Sequence, residues 1–272
     1  MPHNGQKDGG RPTAIRKGSL TERQLDRYSR QLVLGQIGRK GQKLLGAGSV
    51  LVLGLGGLGS TASSLLARAG IGRLVLVDDG KVELSNLQRQ VLYDEEDLGK
   101  TKASAARAHL KKIDAGADLL AKVLRVDGHN IEGLLSGIDV VLDGTDNMET
   151  RRIINEACIK HAVPWVYGGV EGTRGMSMTI IPNRTPCLSC IFPERASSKQ
   201  RSRSKVLGVL NTLPCLIGAL QATEAKKLLL GQAPRPGLLI MDPWNWDSRV
   251  LDVKVRKGCP TCQKRRFPHL GH

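Results

Sequence analysis

The hexapeptide Gly54-Leu-Gly-Gly-Leu-Gly59 constrains this chain more than any other stretch. It follows the apolar run Val50-Leu51-Val52-Leu53 and opens a run of small and apolar residues, Ser60 to Ala69. A buried parallel strand that ends in a glycine loop and feeds the first turn of a helix has this pattern. Gly54, Gly56, Gly57 and Gly59 let the backbone approach a phosphate closely. The helix N-terminus adds unpaired N–H groups and the positive end of its dipole. Many nucleotide-binding folds share such a loop, so on its own it selects only a broad class.

At 272 residues the chain is long enough for one large α/β domain with extensions. No run approaches the roughly 18 apolar residues of a membrane-spanning helix. Met1 to Gly18 is polar and glycine-rich rather than signal-like, so the expectation is a cytoplasmic protein without membrane attachment. The net charge of +16 calls for an acidic partner. It is concentrated in Arg195–Lys205, with five basic residues, and Lys254–Arg266, with six. Aromatic residues are only 3% of the chain and do not interleave with the basic runs, which ranks nucleic acid below an acidic protein.

Four of the six cysteines form two pairs, Cys187-x-x-Cys190 and Cys259-x-x-Cys262. In a cytosolic chain this spacing predicts one tetrahedral zinc site that clips the C-terminal tail to a mid-chain loop, rather than disulfides. A redox dithiol is the alternative, and two pairs together argue against it. Cys158 and Cys215 lie in apolar contexts and read as small buried hydrophobes.

Thr21 is the expected N-cap of a helix carrying Arg27-Tyr-Ser-Arg-Gln31, on which Arg27 and Arg30 would share a face, and Ile37–Leu45 is a second helical piece. Arg73–Asp78 is a second buried strand, and Asp78 stands where such folds bind ribose hydroxyls. To this point an NAD-dependent oxidoreductase explains everything equally well. The Asn86-Leu-Gln-Arg-Gln90 loop then supplies phosphate donors. Lys100 and Lys102 open a helix running to Ile113, where positive charge opposes the dipole unless an anion binds. A triphosphate needs this second cationic cluster and a dehydrogenase does not. Ile138–Asp143 is a third buried strand, ending near two acids, Asp143 and Asp146. Asp146 suits a Mg²⁺ ligand, while Asp146 or Asn147 equally suits a cap for the helix Met148–His161. Further strands are expected at Pro164–Val170, Met176–Ile181, Leu238–Met241 and Val250–Val255, a helix at Ile217–Leu230, and an irregular crossover over Pro182–Lys205.

Taken together, Arg27-Tyr-Ser-Arg-Gln31, Gly54-x-Gly-Gly-x-Gly59, Ser85-Asn-Leu-Gln-Arg-Gln90, Gly99-x-x-Lys-Ala103, Asp143-Gly-Thr-Asp-Asn147, both cysteine pairs and Leu220-Gln-Ala-Thr-Glu-Ala225 resemble the ThiF/MoeB/HesA proteins, bacterial relatives of ubiquitin-activating enzymes. The resemblance spans roughly residues 20–265. It implies a Rossmann-like three-layer α/β fold, with a mostly parallel sheet extended by antiparallel strands and a zinc-clipped crossover loop and C-terminal tail. Expected boundaries are a disordered basic tail at 1–20, a single adenylation domain at 21–258 and a zinc-binding tail at 259–272. Within the domain, 21–45 would be N-terminal helices, 46–182 the nucleotide core, 183–205 the crossover and 206–258 the C-terminal helix and strands.

The implied activity is adenylation, with ATP, of the C-terminal glycine of a small ubiquitin-like sulfur carrier of the ThiS or MoaD type, releasing pyrophosphate. By the same resemblance Asp78 holds ribose, and Asn86, Arg89, Gln90 and Lys102 hold nucleotide. Asp146 holds Mg²⁺ beside Asn147, and Arg30 reaches the other subunit of a homodimer. The catalytic set is then Arg30, Arg89, Lys102 and Asp146, and the zinc is structural. The chain departs from the pattern twice. Ser204 replaces a cysteine that relatives carry in the crossover loop, which predicts no enzyme thioester and leaves sulfur donation to a separate protein, such as a cysteine desulfurase or a rhodanese-type protein. Gly80 replaces a second acid, leaving Asp79 as its substitute. An NAD-dependent oxidoreductase and a non-catalytic carrier-binding scaffold are the competing readings. Arg89, Lys102 and the cysteine pairs argue against the first, and the retained phosphate ligands argue against the second.

Overall fold

Strand β1, Ser49–Leu53, is buried at every position, as its unbroken apolar run requires of a strand covered on both faces. Its alternate side chains serve two cores. Val50 and Val52 face one, and Leu51 and Leu53 face the other. The computed structural model describes residues 19–194, 208–234 and 236–271. Ser204, the first basic run and the N-terminal tail fall outside them.

The remaining strands are β2 (Arg73–Val77), β3 (Asp118–Lys122), β4 (Val140–Asp143), β5 (Trp165–Glu171), β6 (Arg174–Ile180), β7 (Leu238–Asp242) and β8 (Asp247–Leu251). They form one eight-stranded sheet in the order β3-β2-β1-β4-β5-β6-β7-β8. The first five run parallel. The last three join antiparallel. The chain builds outward from β1 to β3 and then returns to its other side with β4. The switch point therefore lies between β1 and β4, where an open α/β sheet leaves a crevice at its carboxyl edge.

The helices are α1 (Glu22–Arg27), α2 (Ser29–Leu32), α3 (Gly38–Ala47), α4 (Gly57–Arg68), α5 (Leu84–Leu87), α6 (Lys102–Ile113), α7 (Ile131–Leu134), α8 (Met148–Lys160), α9 (Leu188–Ile191) and α10 (Thr212–Leu229). Residues of α4, α6 and α10 close one core with Val50, Val52, Leu74 and Leu76. Residues of α7 and α8 close the other with Leu51, Leu53, Val75 and Val141. This is the expected three-layer arrangement.

Several local expectations are corrected. The helix at Thr21 forms with a capping box between Thr21 and Gln24, but breaks at Tyr28. Arg27 ends α1 and Arg30 lies in α2, with Tyr28 between them donating from its hydroxyl to Asp114 Oδ2 at 3.2 Å. β3 has no counterpart in the sequence reading. It is a five-residue edge strand without a β-branched residue, paired only to β2. α10 begins five residues before Ile217, because Pro214 lies in its first turn, where the missing N–H has no intrahelical partner to lose. β8 is shifted toward its turn: β7 pairs with Asp247 to Leu251, and the apolar alternation that continues to Val255 finds no strand to pair with among the described residues.

Candidate functional site

Three glycine backbones meet at the switch point. Gly54 holds a φ of +84°, open to glycine and strained for other residues. A Cβ on Gly59 would lie 1.9 Å from the Gly54 carbonyl oxygen, and one on Gly144 would lie 2.3 Å from it. The end of β1, the start of α4 and the end of β4 are pressed together by the absence of side chains. Gly56, the N-cap of α4, makes no side-chain capping bond, so the amides of the first turn remain available to an anion.

Two side chains from different elements pin the loop between them. Asp78 accepts from the Leu55 N–H at 2.7 Å through Oδ2 and from the Gly80 N–H at 2.7 Å through Oδ1. The Tyr93 hydroxyl donates to the Leu55 carbonyl at 2.9 Å. Burial pushes the Tyr93 phenol far above its ordinary pKa, so it stays a neutral donor. Tyr93 was invisible as a site residue in the sequence; a lone tyrosine after a Gln-rich loop carries no motif.

The expected phosphate ligands gather at this edge. The Arg89 carbonyl lies 3.3 Å from where a Gly57 Cβ would be, and the Arg89 guanidinium donates to the Ser85 carbonyl at 2.8 Å. Gln90 is buried with its Nε2 facing Gly56, and its Oε1 has no partner among the described residues. Asn86 is buried and closes a capping box with Glu83 at the start of α5. Lys102 opens α6 with its ammonium 3.5 Å from where a Gly80 Cβ would be, on the Asp78 side of the loop. Among the described residues, Arg89, Lys102 and Asp146 take part in no ion pair of 4 Å or less. Unpaired cations beside an uncapped helix end make a site for an anion.

The two acids after β4 divide their roles. Asp143 is wholly buried and serves the fold. It accepts from Arg151 Nε at 3.0 Å and from the Thr145 hydroxyl at 2.6 Å. Burial pushes the Arg151 pKa down, but the charge and hydrogen bond of Asp143, with Tyr167 and Asp146 adding to them, together outweigh it and hold the guanidinium charged. Arg151 also donates to the Thr145 and Gly168 carbonyls and lies 5.3 Å over the Tyr167 ring. Gln221, buried in α10, donates to the carbonyls of Asp143 at 2.8 Å and Val166 at 3.1 Å. Asp146 is exposed just beyond this network. The cap of α8 is Asn147, whose Oδ1 accepts from the Thr150 N–H at 2.9 Å, which leaves Asp146 free of that duty.

Arg30 lies elsewhere. Its neighbour Gln31 donates to the Ala69 carbonyl at the far end of α4, and Arg27 to the Ile113 carbonyl at the far end of α6. The 12 residues of α4 span about 18 Å, more than a side chain can cross to reach the loop of its own chain.

The four paired cysteines form one cluster. The Sγ atoms of Cys187 and Cys259 are 3.6 Å apart, those of Cys190 and Cys262 3.5 Å, and those of Cys187 and Cys190 3.9 Å. A zinc tetrahedron with Zn–S bonds of about 2.3 Å has edges of about 3.8 Å, so the donor set fits that ion. The hydrogen bond between Cys187 and Cys190 holds the first thiol protonated and pulls the second down to about 4, while burial pushes Cys262 up to about 12. Thiols this close cannot all ionise without a cation among them. Of the other cysteines, Cys158 is buried and Cys215 partly so, with its sulfur 3.7 Å from the Thr61 hydroxyl.

This geometry coincides with a family match over residues 28–263. The chain belongs to the ThiF family. It is 39% identical to the SAMP-activating enzyme E1 of Haloferax volcanii over 246 residues, covering 90% of this chain and 91% of that one. It is 38% identical to the sulfur carrier protein ThiS adenylyltransferase of Escherichia coli over 245 residues, covering 89% and 97%. Among solved structures it matches E. coli MccB with ATP at a TM-score of 0.76 and 22% identity, over 87% of this chain and 74% of that one, a likeness of fold. The ThiF-family match takes in the glycine loop, both acids after β4 and both cysteine pairs.

Proposed function

We propose that this chain is an adenylyltransferase that activates the C-terminal glycine carboxylate of a small ubiquitin-like sulfur carrier. The observation that carries the reading is the meeting of an uncapped glycine loop, unpaired Arg89 and Lys102, and exposed Asp146 at one switch point. Relatives named as sulfur carrier adenylyltransferases over most of their length support it.

In the reaction a carboxylate oxygen of the carrier attacks the α-phosphorus of ATP. The bond from that phosphorus to the bridging oxygen breaks, and pyrophosphate leaves with the electron pair. The carboxylate is already ionised near pH 7, so no general base is required. Negative charge builds on phosphate oxygens, and Arg89, Lys102 and the α4 amides are in place to stabilise it without reorganising. Asp78 is the ribose ligand, and Asn86, Gln90 and Asn147 line the nucleotide. Asp146 would hold Mg²⁺, which supplies further charge neutralisation when bound.

Arg30 acts on the site of a second subunit, so the working unit is a homodimer; its distance from its own loop supports this. The four cysteines hold a structural zinc. With Ser204 in the crossover loop, the enzyme stops at the acyl-adenylate and a separate sulfur donor completes the transfer in the cytoplasm. No described helix is long and apolar enough to cross a membrane.

The test is ATP–pyrophosphate exchange with a Gly-Gly-tailed carrier. Carrier-dependent exchange is expected. NAD reduction without exchange would make the protein an oxidoreductase, and carrier binding without exchange would make it a scaffold.

A further inference from the structure

The α7 layer stops short of one edge of the sheet. α7 is a single turn of four residues, and it packs over β2 without covering all of β3. Leu120 is left 38% exposed on a strand paired only to β2. In the parallel register Arg73 stands opposite Asp118, Val75 opposite Leu120 and Val77 opposite Lys122, so these side chains share one face. Val75 and Val77 belong to the core that α7 and α8 close, which puts the row on the face away from α4 and α6. A recess of about 290 Å³ opens there, with Arg73, Val75, Leu120, Lys122, Leu134 and Ile138 in its walls. That is about twice the roughly 150 Å³ apolar cavity that takes up one benzene molecule.

The floor of the recess is apolar and its two ends are cationic. Val75, Leu134 and Ile138 are buried, and Leu120 completes the apolar surface. Arg73 and Lys122 are four register positions apart, about 13 Å along the strands. Arg73 Nε lies 3.7 Å from Asp118 Oδ2, beyond hydrogen-bond reach, and this shielded N–H meets no acceptor among the described residues. Native proteins rarely leave a shielded donor unmet. Lys122 is half-buried and joins no ion pair of 4 Å or less among the described residues. Asp118 offsets one of the two positive charges. Glu132 of α7 pairs with Lys160 and His161 and does not offset the other.

We infer that this recess binds a small organic anion, an apolar body of about ring size that carries a phosphate or a carboxylate. The Arg73 guanidinium takes the acidic group, Lys122 adds a charge contact from the opposite end, and the body lies on Val75, Leu120, Leu134 and Ile138. A bare inorganic ion would leave that floor wet, and a neutral ring would leave the Arg73 N–H unmet. The recess therefore selects a molecule with both parts. It is separate from the glycine loop, because Arg73 opens β2 while Asp78 follows the other end of that strand.

The probes are phenyl phosphate, benzoate, inorganic phosphate and benzyl alcohol, each added to protein saturated with ATP and Mg²⁺. The readout is the methyl NMR spectrum. A ring on the floor moves the resonances of Val75, Leu120, Leu134 and Ile138 and leaves those of Leu55 and Leu58, beside the glycine loop, in place. Phenyl phosphate or benzoate should move the four saturably, with at least tenfold higher affinity than benzyl alcohol, and inorganic phosphate should compete at least tenfold more weakly. The tighter of the two acids identifies the headgroup. Arg73→Gln and Lys122→Gln should each weaken binding at least fivefold. The wild-type titration decides the matter even if a variant fails to fold. Four unmoved methyl resonances, equal affinity for benzyl alcohol or inorganic phosphate, undiminished affinity in either variant, or shifts centred on Leu55 and Leu58 would each overturn the site.

Discussion

Arg151 donates from Nε to the Asp143 carboxylate at 3.0 Å, and the two charges are sealed under the crevice that Asp146 borders. Removing one partner leaves the other buried and unpaired, which costs about 3–5 kcal/mol. Arg151→Ala should lower the denaturation midpoint accordingly. Arg151→Met with Asp143→Leu should recover part of the loss. A single variant as stable as wild type would mean that water replaces the guanidinium.

Asp146 should separate chemistry from folding. It is exposed, and Asn147 rather than Asp146 caps α8. Asp146→Ala is expected to reduce pyrophosphate exchange roughly 100-fold or more, as the loss of a transition-state charge partner does, while thermal stability stays near wild type. Normal exchange in this variant would remove Asp146 from the site.

Arg30 and Lys102 should complement each other across subunits. Arg30→Ala and Lys102→Ala are each expected to be inactive, and mixing them should restore activity through dimers in which one site has both native residues. With subunit exchange verified by mass, a mixture that stays inactive would place Arg30 outside the reaction.

One zinc per chain is expected in protein purified without chelators. Bound at Cys187, Cys190, Cys259 and Cys262, it can contribute roughly 10 kcal/mol or more of apparent folding free energy. Stripping it should release residues 259–271 to proteolysis before the rest of the fold. Metal analysis that finds none contradicts the assignment.

The tail has a second fastening with a pH signature. His269 Nδ1 and the backbone N–H of His269 each lie 2.8 Å from the carboxylate of buried Glu156. The bond to Glu156, against the opposing effect of burial, raises the imidazole above its ordinary pKa. A raised folded-state value means that the stabilisation is complete below the unfolded pKa of about 6.5 and fades as pH rises through the higher folded value. Wild-type stability should therefore decline from pH 6 toward 8 by more than that of His269→Gln. Parallel curves for the two proteins would exclude this contribution.

What the sequence made legible was local. Val50–Leu53 and Val140–Leu142 are unbroken apolar runs, the mark of strands covered on both faces, and the glycine and cysteine spacings each fix a geometry over a few residues. β3 escaped because Asp118-Leu-Leu-Ala-Lys122 is short and half exposed, and its strand character comes from β2 beside it. The start of α10 escaped because Pro214 reads as a breaker until its place in the first turn is known. Tyr93, Arg151 and Gln221 escaped for a different reason. Each acts on backbone groups between 6 and 78 positions away, and nothing in its own neighbourhood signals the partner.

Leu55 is held at both of its backbone poles, its N–H by Asp78 and its carbonyl by Tyr93, with no ligand taking part. In population terms, both bonds favour the loop conformation that presents its amides. The larger the share of molecules in that conformation, the nearer the apparent affinity for a phosphate comes to the intrinsic one. Tyr93→Phe should show the difference as weaker nucleotide binding with unchanged contacts to the nucleotide itself. The tyrosine sets not how the loop holds a phosphate but how often the loop is ready to.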